Sequence, residues 1–318
     1  MRDRITLRFL AAPTDASADG RTVQAGRVLE WIDKAGYACA VGWSAAYCVT
    51  AYVGNVHFTR PIAPGELIEA RARIIHTGRT SMQVLVTVLA ADARDGSFTA
   101  STDCLLVFVA VDDAGRPREV PAWEPKDAED LELSRGAVQR IEARRAIHEA
   151  MQAQAYTDAG TGARMRFRFL AAPSDVNWGG NAHGGIVMRW IDETAFACAT
   201  AWAGRHAVAV YSGGIHFYGP VHIGDLVEVE ARLIHTSARS MHLSVQVRAG
   251  SLTTIERRLT TQCMTVFVVP GPDGHAEPIP VMPLQSDEDV RLDAHARDLI
   301  ERRAGLLSIP VTVTAGDD

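Results

Sequence analysis

The chain has 318 residues, about twice the ~150 of a common single domain, so two domains is the starting expectation. It carries 38 acidic against 32 basic side chains, a net charge of −6, which argues against a phosphate-backbone binder relying on clustered Lys and Arg. Hydrophobic content of 47% with 22% charged residues fits a core-forming chain and excludes extensive disorder.

The longest apolar runs, such as Leu105 to Val111, are strand-sized and fall well short of the ~20 residues of a membrane span. The start, Met1-Arg-Asp-Arg-Ile5, lacks the apolar core of a signal peptide. Cys39, Cys48, Cys104, Cys198 and Cys263 sit among apolar neighbours with no CxxC spacing, so they read as reduced, packed thiols and not as a metal site. The expectation is a soluble, cytoplasmic protein that binds neither nucleic acid, membrane nor metal.

In chain order, a short strand (Thr6 to Leu10) precedes a polar loop and a helix over Arg27 to Val41. Its apolar residues Val28, Leu29, Trp31, Ile32, Ala35, Ala38 and Cys39 recur at spacings of three and four and cover most of its sides. Four strand-like runs follow: Cys48 to Thr59, Leu67 to His76, Met82 to Ala91 and Thr99 to Val111. Pro61, Gly65, Gly78 and Asp95-Gly96 punctuate them as turns. A buried helix followed by consecutive strands predicts a sheet wrapped around one helix.

The unit is then written again. Arg8-Phe-Leu-Ala-Ala-Pro-Thr-Asp15 recurs as Arg168-Phe-Leu-Ala-Ala-Pro-Ser-Asp175, an offset of 160. Trp31-Ile-Asp33 recurs as Trp190-Ile-Asp192, and Val107-Phe-Val109 as Val266-Phe-Val268, now at 159. The first copy therefore holds one extra residue between Asp15 and Gly26, and two long copies signal domain duplication and not a solenoid. Between the copies, Asp127 to Gln154 reads as a surface helix whose counterpart is Asp287 to Ala304. Their Arg144-Arg145 and Arg302-Arg303 pairs read as cations favoured near helix C-termini. Residues 155–163 read as a flexible joint, and Gly305 to Asp318 as a tail.

The copies disagree where polar residues enter the helix. The second has Asn177-Trp-Gly-Gly-Asn181-Ala-His183-Gly184-Gly185; the first has Thr22-Val-Gln24-Ala25-Gly26. Both keep a carboxylate inside the helix, Asp33 and Asp192, which is costly unless paired or functional. Gly185 to Asp192 is about two turns, roughly 10 Å of rise, so one helix does not bring both to one site. Antiparallel pairing of the two helices would set Asp33 with Asn181, His183 and Gly185, and Asp192 with Thr22, Gln24 and Gly26. Only the first set keeps its polar groups, which predicts one working and one degenerate site.

Asn181-Ala-His183-Gly184-Gly185 followed by Trp190-Ile191-Asp192-Glu193 resembles the helix entry of hotdog-fold acyl-CoA thioester hydrolases. His216-Phe217, Pro220-Val221, Gly224-Asp225, Gly78-Arg79-Thr80-Ser81-Met82 and Val107 to Asp112 resemble the family's strand signatures. The likeness is to its tandem, double-hotdog members. It implies an α+β chain with hotdog domains at 1–123 and 164–283, a helical linker at 124–163 and a C-terminal helix and tail at 284–318, forming an intrachain pseudo-dimer. It also implies a homotrimer of such chains, acyl-CoA as substrate and no cofactor. In the family an Asn at the helix entry and an Asp in the partner helix serve catalysis together; Thr22 and Gln24 depart from that pattern.

Thioester hydrolysis gives these residues roles. The Gly185 N–H at a helix N-terminus would donate to the oxyanion. Asp33 would act as base on water or as nucleophile, and Asn181 would hold water or thioester. His183 would either position substrate or satisfy loop backbone groups. Arg79 with Ser81, and Arg239 with Ser240, are candidate contacts for the CoA phosphates; His57 and His216 read as structural. Two other readings stand beside hydrolysis: an enoyl-CoA hydratase or dehydratase on the same fold, and a non-enzymatic acyl-CoA-binding protein.

Overall fold

The computed structural model describes residues 2–94 and 96–304, so the expected tail, Gly305 to Asp318, and Asp95 of the expected turn lie outside the described residues. Two compact units divide the chain: one holds residues up to Ala51 and Val56–Ile141, the other Tyr52–Asn55 and Glu142 onward.

In the first unit the elements are β1 (Arg4–Leu10), α1 (Ala25–Ser44), β2 (Cys48–Val53), β3 (Val56–His57), β4 (Glu66–Thr77), β5 (Ser81–Asp92), β6 (Thr99–Ala110) and the start of α2 (Ala128–Gln152). The strands lie in the order β1-β4-β5-β6-β2, antiparallel from β1 through β6. The run expected from Cys48 to Thr59 is broken at Gly54-Asn55.

α1 packs on β1, β4, β5 and β6. Its Val28, Leu29, Trp31, Ile32, Ala35 and Cys39 are all buried, as the spacing predicts. Phe9 of β1 stacks on Trp31 at 5.7 Å. Gly36 lets the helix sit close: a methyl there would lie 2.8 Å from a ring carbon of Phe108. The sheet's other face is also covered, since Ile75, Leu85 and Leu105 bury with Leu133 and Ala137 of α2. Burial on both faces explains why the strands read as nearly continuous apolar runs.

The second unit repeats the plan with β7 (Arg164–Leu170), α3 (Gly184–Ala203), β8 (Val208–Phe217), β9 (Leu226–Thr236), β10 (Met241–Gly250), β11 (Arg258–Val268) and α4 (Asp287–Ala304). Its strand order is β8-β11-β10-β9-β7, antiparallel throughout, and α3 packs on all five strands. Here the outer layer is mixed: α4 packs on β9 and buries Leu292 and Ala296, which match Leu133 and Ala137, while Ser244 and Met264 stand where the first copy has Leu85 and Leu105. The Ser244 hydroxyl donates to the Tyr156 hydroxyl (2.9 Å), and Arg232 lies over the Tyr156 ring.

Two expectations need correction. Residues 155–163 are not a free joint. Thr157 donates through its N–H (2.8 Å) and its hydroxyl to Glu288, and Thr161 through both groups to Asp289 (2.8 and 2.7 Å). Burial alone would raise the Asp289 carboxyl; the bonds from Thr161, Ser286 and Gln285 outweigh it and hold it at about 2. Of the paired arginines only Arg302-Arg303 lie in a last helical turn, since α2 runs on to Gln152 and has no basic residue in its own. Arg144 lies 5.1 Å over the Tyr52 ring, and Arg303, 159 residues on, lies 5.1 Å over Tyr211, also 159 residues on. Among the described residues no helix is long and apolar enough to cross a membrane.

α1 ends on Ala45 at φ 50°, where α3 ends on Gly204 at φ 65°. A Cβ is disfavoured in that left-handed region, so Ala45→Gly is expected to stabilise the chain by roughly 1 kcal/mol and Gly204→Ala to destabilise it similarly, read from denaturant midpoints.

Candidate active site

Asp33 sits mid-way along α1 with 1% exposure, and its carboxylate Oδ1 accepts from the Thr50 hydroxyl of β2 at 2.7 Å. A buried carboxylate needs such a donor, and a charge-assisted bond of this length also fixes its rotamer. Thr50 was not singled out from sequence, because a threonine in a strand reads as an ordinary β-former. At the matching position, 50 + 159 = 209, the second copy has Ala209. Asp192, half-buried on α3, thus has no hydroxyl at the equivalent strand position.

One residue further along, the copies carry inverted charge pairs. Burial pushes the Glu30 carboxyl up, but Lys34 (2.6 Å) and Arg27 (2.6 Å) outweigh it and leave it below the usual range. In the second unit burial wins: Glu193, with Arg189 at 3.6 Å, is raised.

The second unit's helix entry is a rigid loop. Asn177 Oδ1 accepts from the N–H groups of Gly179 (2.8 Å) and Asn181 (3.1 Å), and Asn177 N–H donates to the Asn181 carbonyl (2.7 Å). Asn181 Oδ1 lies 2.8 Å from Nδ1 of His222, with which it forms a β-bridge. Neither Asn177 as organiser nor His222 as partner was assigned from sequence. The first copy has Thr22 and Ala63 where the second has Asn181 and His222, so the pair is lost together.

His183 is the N-cap of α3, and its Nδ1 accepts from the Gly185 N–H at 3.1 Å. In this arrangement His183 satisfies a backbone group, one of its two sequence readings. It also means the Gly185 N–H, expected to await an oxyanion, is already engaged, so a substrate oxygen must displace or share it. Because Nδ1 accepts, the neutral ring carries its proton on Nε2. Gln24, at the same place before α1, makes no side-chain cap.

The candidate phosphate contacts lie at the turns between β4 and β5 and between β9 and β10. Arg79 is exposed, 3.5 Å from Glu119; Ser81 accepts through its carbonyl from Gly78 N–H (2.9 Å). Arg239 is exposed and donates to the Ala276 carbonyl (3.1 Å), and Ser240 Oγ lies 2.6 Å from Ser237 Oγ. All five cysteines are free and buried, with burial raising the Cys39 thiol to about 12.

The model of the thioesterase superfamily matches the chain twice, over residues 21–97 and 179–256, one match on each repeat. The chain belongs to that family. It is 32% identical over 143 residues to Protein VdlD of Helicobacter pylori, covering 45% of the chain and 81% of the relative. It is 24% identical over 299 residues to the human cytosolic acyl coenzyme A thioester hydrolase, covering 88% of the chain and 78% of that protein. A Lactobacillus plantarum protein of known structure, 11% identical, superposes with a TM-score of 0.58 over 85% of the chain and 98% of its own, a likeness of fold alone. The tandem hotdog architecture expected from the repeat is thus present in this thioesterase, and its family is that of the acyl-CoA thioester hydrolases.

His183→Ala removes the cap of α3, so it is expected to cost about 1 kcal/mol of stability in denaturant unfolding, whereas Gln24→Ala is expected to cost less than half of that.

Proposed function

We propose that this thioesterase hydrolyses acyl-CoA to free CoA and a carboxylic acid with one working site per chain, assigning Asp33 and the Asn181–His183–Gly185 entry to a single reaction. The observation that carries the single-site reading is the Thr50–Asp33 hydrogen bond, for which Asp192 has only Ala209 at the matched position. The joint loss of Asn181 and His222 in the first copy supports the same asymmetry.

In this reading Thr50 holds the Asp33 carboxylate while it takes a proton from water or attacks the thioester carbon directly. The first route gives a tetrahedral oxyanion whose collapse expels the CoA thiolate; the second gives an enzyme anhydride that water then opens. The α3 N-terminus, through the Gly185 N–H and its dipole, stabilises the oxyanion. Asn181, fixed by His222 and the Asn177 turn, orients water or the thioester, and His183 keeps the helix entry in shape. Arg79 with Ser81 and Arg239 with Ser240 receive the CoA phosphates. The remaining assignments are Asp192, Thr22 and Gln24 to the degenerate site, a cytoplasmic location, and a homotrimer of double-hotdog chains.

Thiol release from a panel of acyl-CoA substrates tests this. Asp33→Asn is expected to lose about 100-fold or more in kcat, as for removal of a general base or nucleophile. Asn181→Ala is expected to fall in the same sense, while Asp192→Asn stays within about twofold. Equal losses in Asp33→Asn and Asp192→Asn would refute the single site, and no thiol release from any acyl-CoA would refute hydrolysis.

A further inference from the structure

The C-terminal half of α2 lies in the second unit and is fastened there by aromatic rings and not by carboxylates. His148 of α2 lies on His216 of β8 with ring centroids 4.3 Å apart. Tyr52 packs on His216 from another side at 4.8 Å, and Tyr218 stacks parallel to it at 6.3 Å. Arg144, one helical turn before His148, covers Tyr52. Ile147 and Met151 flank Gly214, where Arg303 of α4 also arrives.

His216 is 8% exposed, and its Nε2 has no hydrogen-bond partner; nor have Nδ1 of His148 and the hydroxyl of Tyr218. Across the ladder His216 pairs with Gln262 of β11, 2% exposed, whose Nε2 is also unpartnered. The charged groups acting on the pair are Arg144 on His216 and Glu149 on His148. The nearest carboxylate on α2, Glu149, is exposed and bonded to Arg145 at 2.8 Å.

The first copy is an internal control. Its matched histidine is His57 (216 − 159 = 57), and the residue matching Gln262 is Asp103 (262 − 159 = 103). Burial raises the Asp103 carboxyl, while His57 and Arg140 beside it pull it back. A proton arriving at His57 finds a carboxylate; one arriving at His216 finds an amide and the Arg144 guanidinium.

We propose that the His148–His216 stack is an acid-release catch: protonation frees the C-terminal half of α2 from the second sheet and leaves the N-terminal half on the first. The cost of a charge at His216 is large. Burial first, then His148 and Arg144, pushes its ring down to about 3 from 6.5, and burial lowers His148 as well. The sign follows from proton uptake. Above pH 6.5 neither the closed nor the opened state binds a proton at His216, and the catch is fully closed. Between 6.5 and about 3 only the opened, solvated ring binds one, so closure weakens steadily as pH falls. At pH 5 the shift amounts to about thirtyfold in favour of the opened state.

Hydrogen exchange of the full chain, followed by mass spectrometry from pH 8 to pH 5 and corrected for the intrinsic rate, tests this directly. Protection over 142–152 is expected to fall about thirtyfold while that over 128–141 stays level. His216→Gln is expected to abolish most of the fall. Gln262→Asp, which copies the first unit, is expected to shrink the fall, because the new carboxylate restores a counter-charge and favours the proton in the closed state, with the His216 resonance titrating at a higher pH than in the wild type. An unchanged fall in His216→Gln would overturn the proposal. So would loss of protection over both halves in step, which the wild-type chain alone reveals, or no fall at all.

Discussion

The fold rests on one constraint: α1 and α3 are apolar on nearly every side, so neither can lie on a surface. Each must be wrapped by strands, and the sheet that wraps it then has a second face to cover. In the first unit α2 covers that face with leucine and alanine against Ile75, Leu85 and Leu105. In the second, α4 buries the matching Leu292 and Ala296, and Tyr156, Arg232 and the two histidines add a polar part to the cover. Hydrocarbon cover is insensitive to conditions, whereas polar cover ties stability to protonation and to good partner geometry. The two copies therefore share an architecture and differ in how that architecture is held.

Burying the helix also makes the chemistry possible. Asp33 sits on the very helix whose desolvation drives folding, and β2 brings Thr50 alongside to donate to its buried carboxylate. The second copy has Ala209 where the first has the Thr50 hydroxyl, but carries the polar helix entry, with Asn181 held by His222 and Gly185 by His183. In the proposed reading each copy carries only part of one functional set. The inverted charge pairs, Glu30 with Lys34 and Arg189 with Glu193, show the same relaxation of equivalence.

Much of this was legible in the residue order. The spacing of Val28, Leu29, Ile32, Ala35 and Cys39 marks a buried helix because 3.6-residue periodicity is local. The repeat is legible because it needs only comparison of the chain with itself. Thr50 was not, since its partner lies 17 residues away across a turn whose geometry the sequence does not specify. His222 escaped notice for the same reason, 41 residues from Asn181. The segment 155–163 looked loose because its Gly and Thr content is that of a linker, while the carboxylates that secure it are about 130 residues downstream. Arg144 and Arg303 looked like helix-end cations because their tyrosines lie in distant strands.

That last anchoring has a consequence for synthesis. The backbone just before β7 is held by Glu288 and Asp289 of α4, groups that leave the ribosome after every strand of the second unit. Strand pairing can proceed as β7 to β11 emerge, but the carboxylates that take the N–H and hydroxyl groups of Thr157 and Thr161 arrive only when the last helix is made. The first unit has no such wait at its own start, since β1 pairs with β4 well before the chain is half complete. Assembly of the nascent chain is thus staged, with the second copy closing on its final helix as a zip closes on its slider.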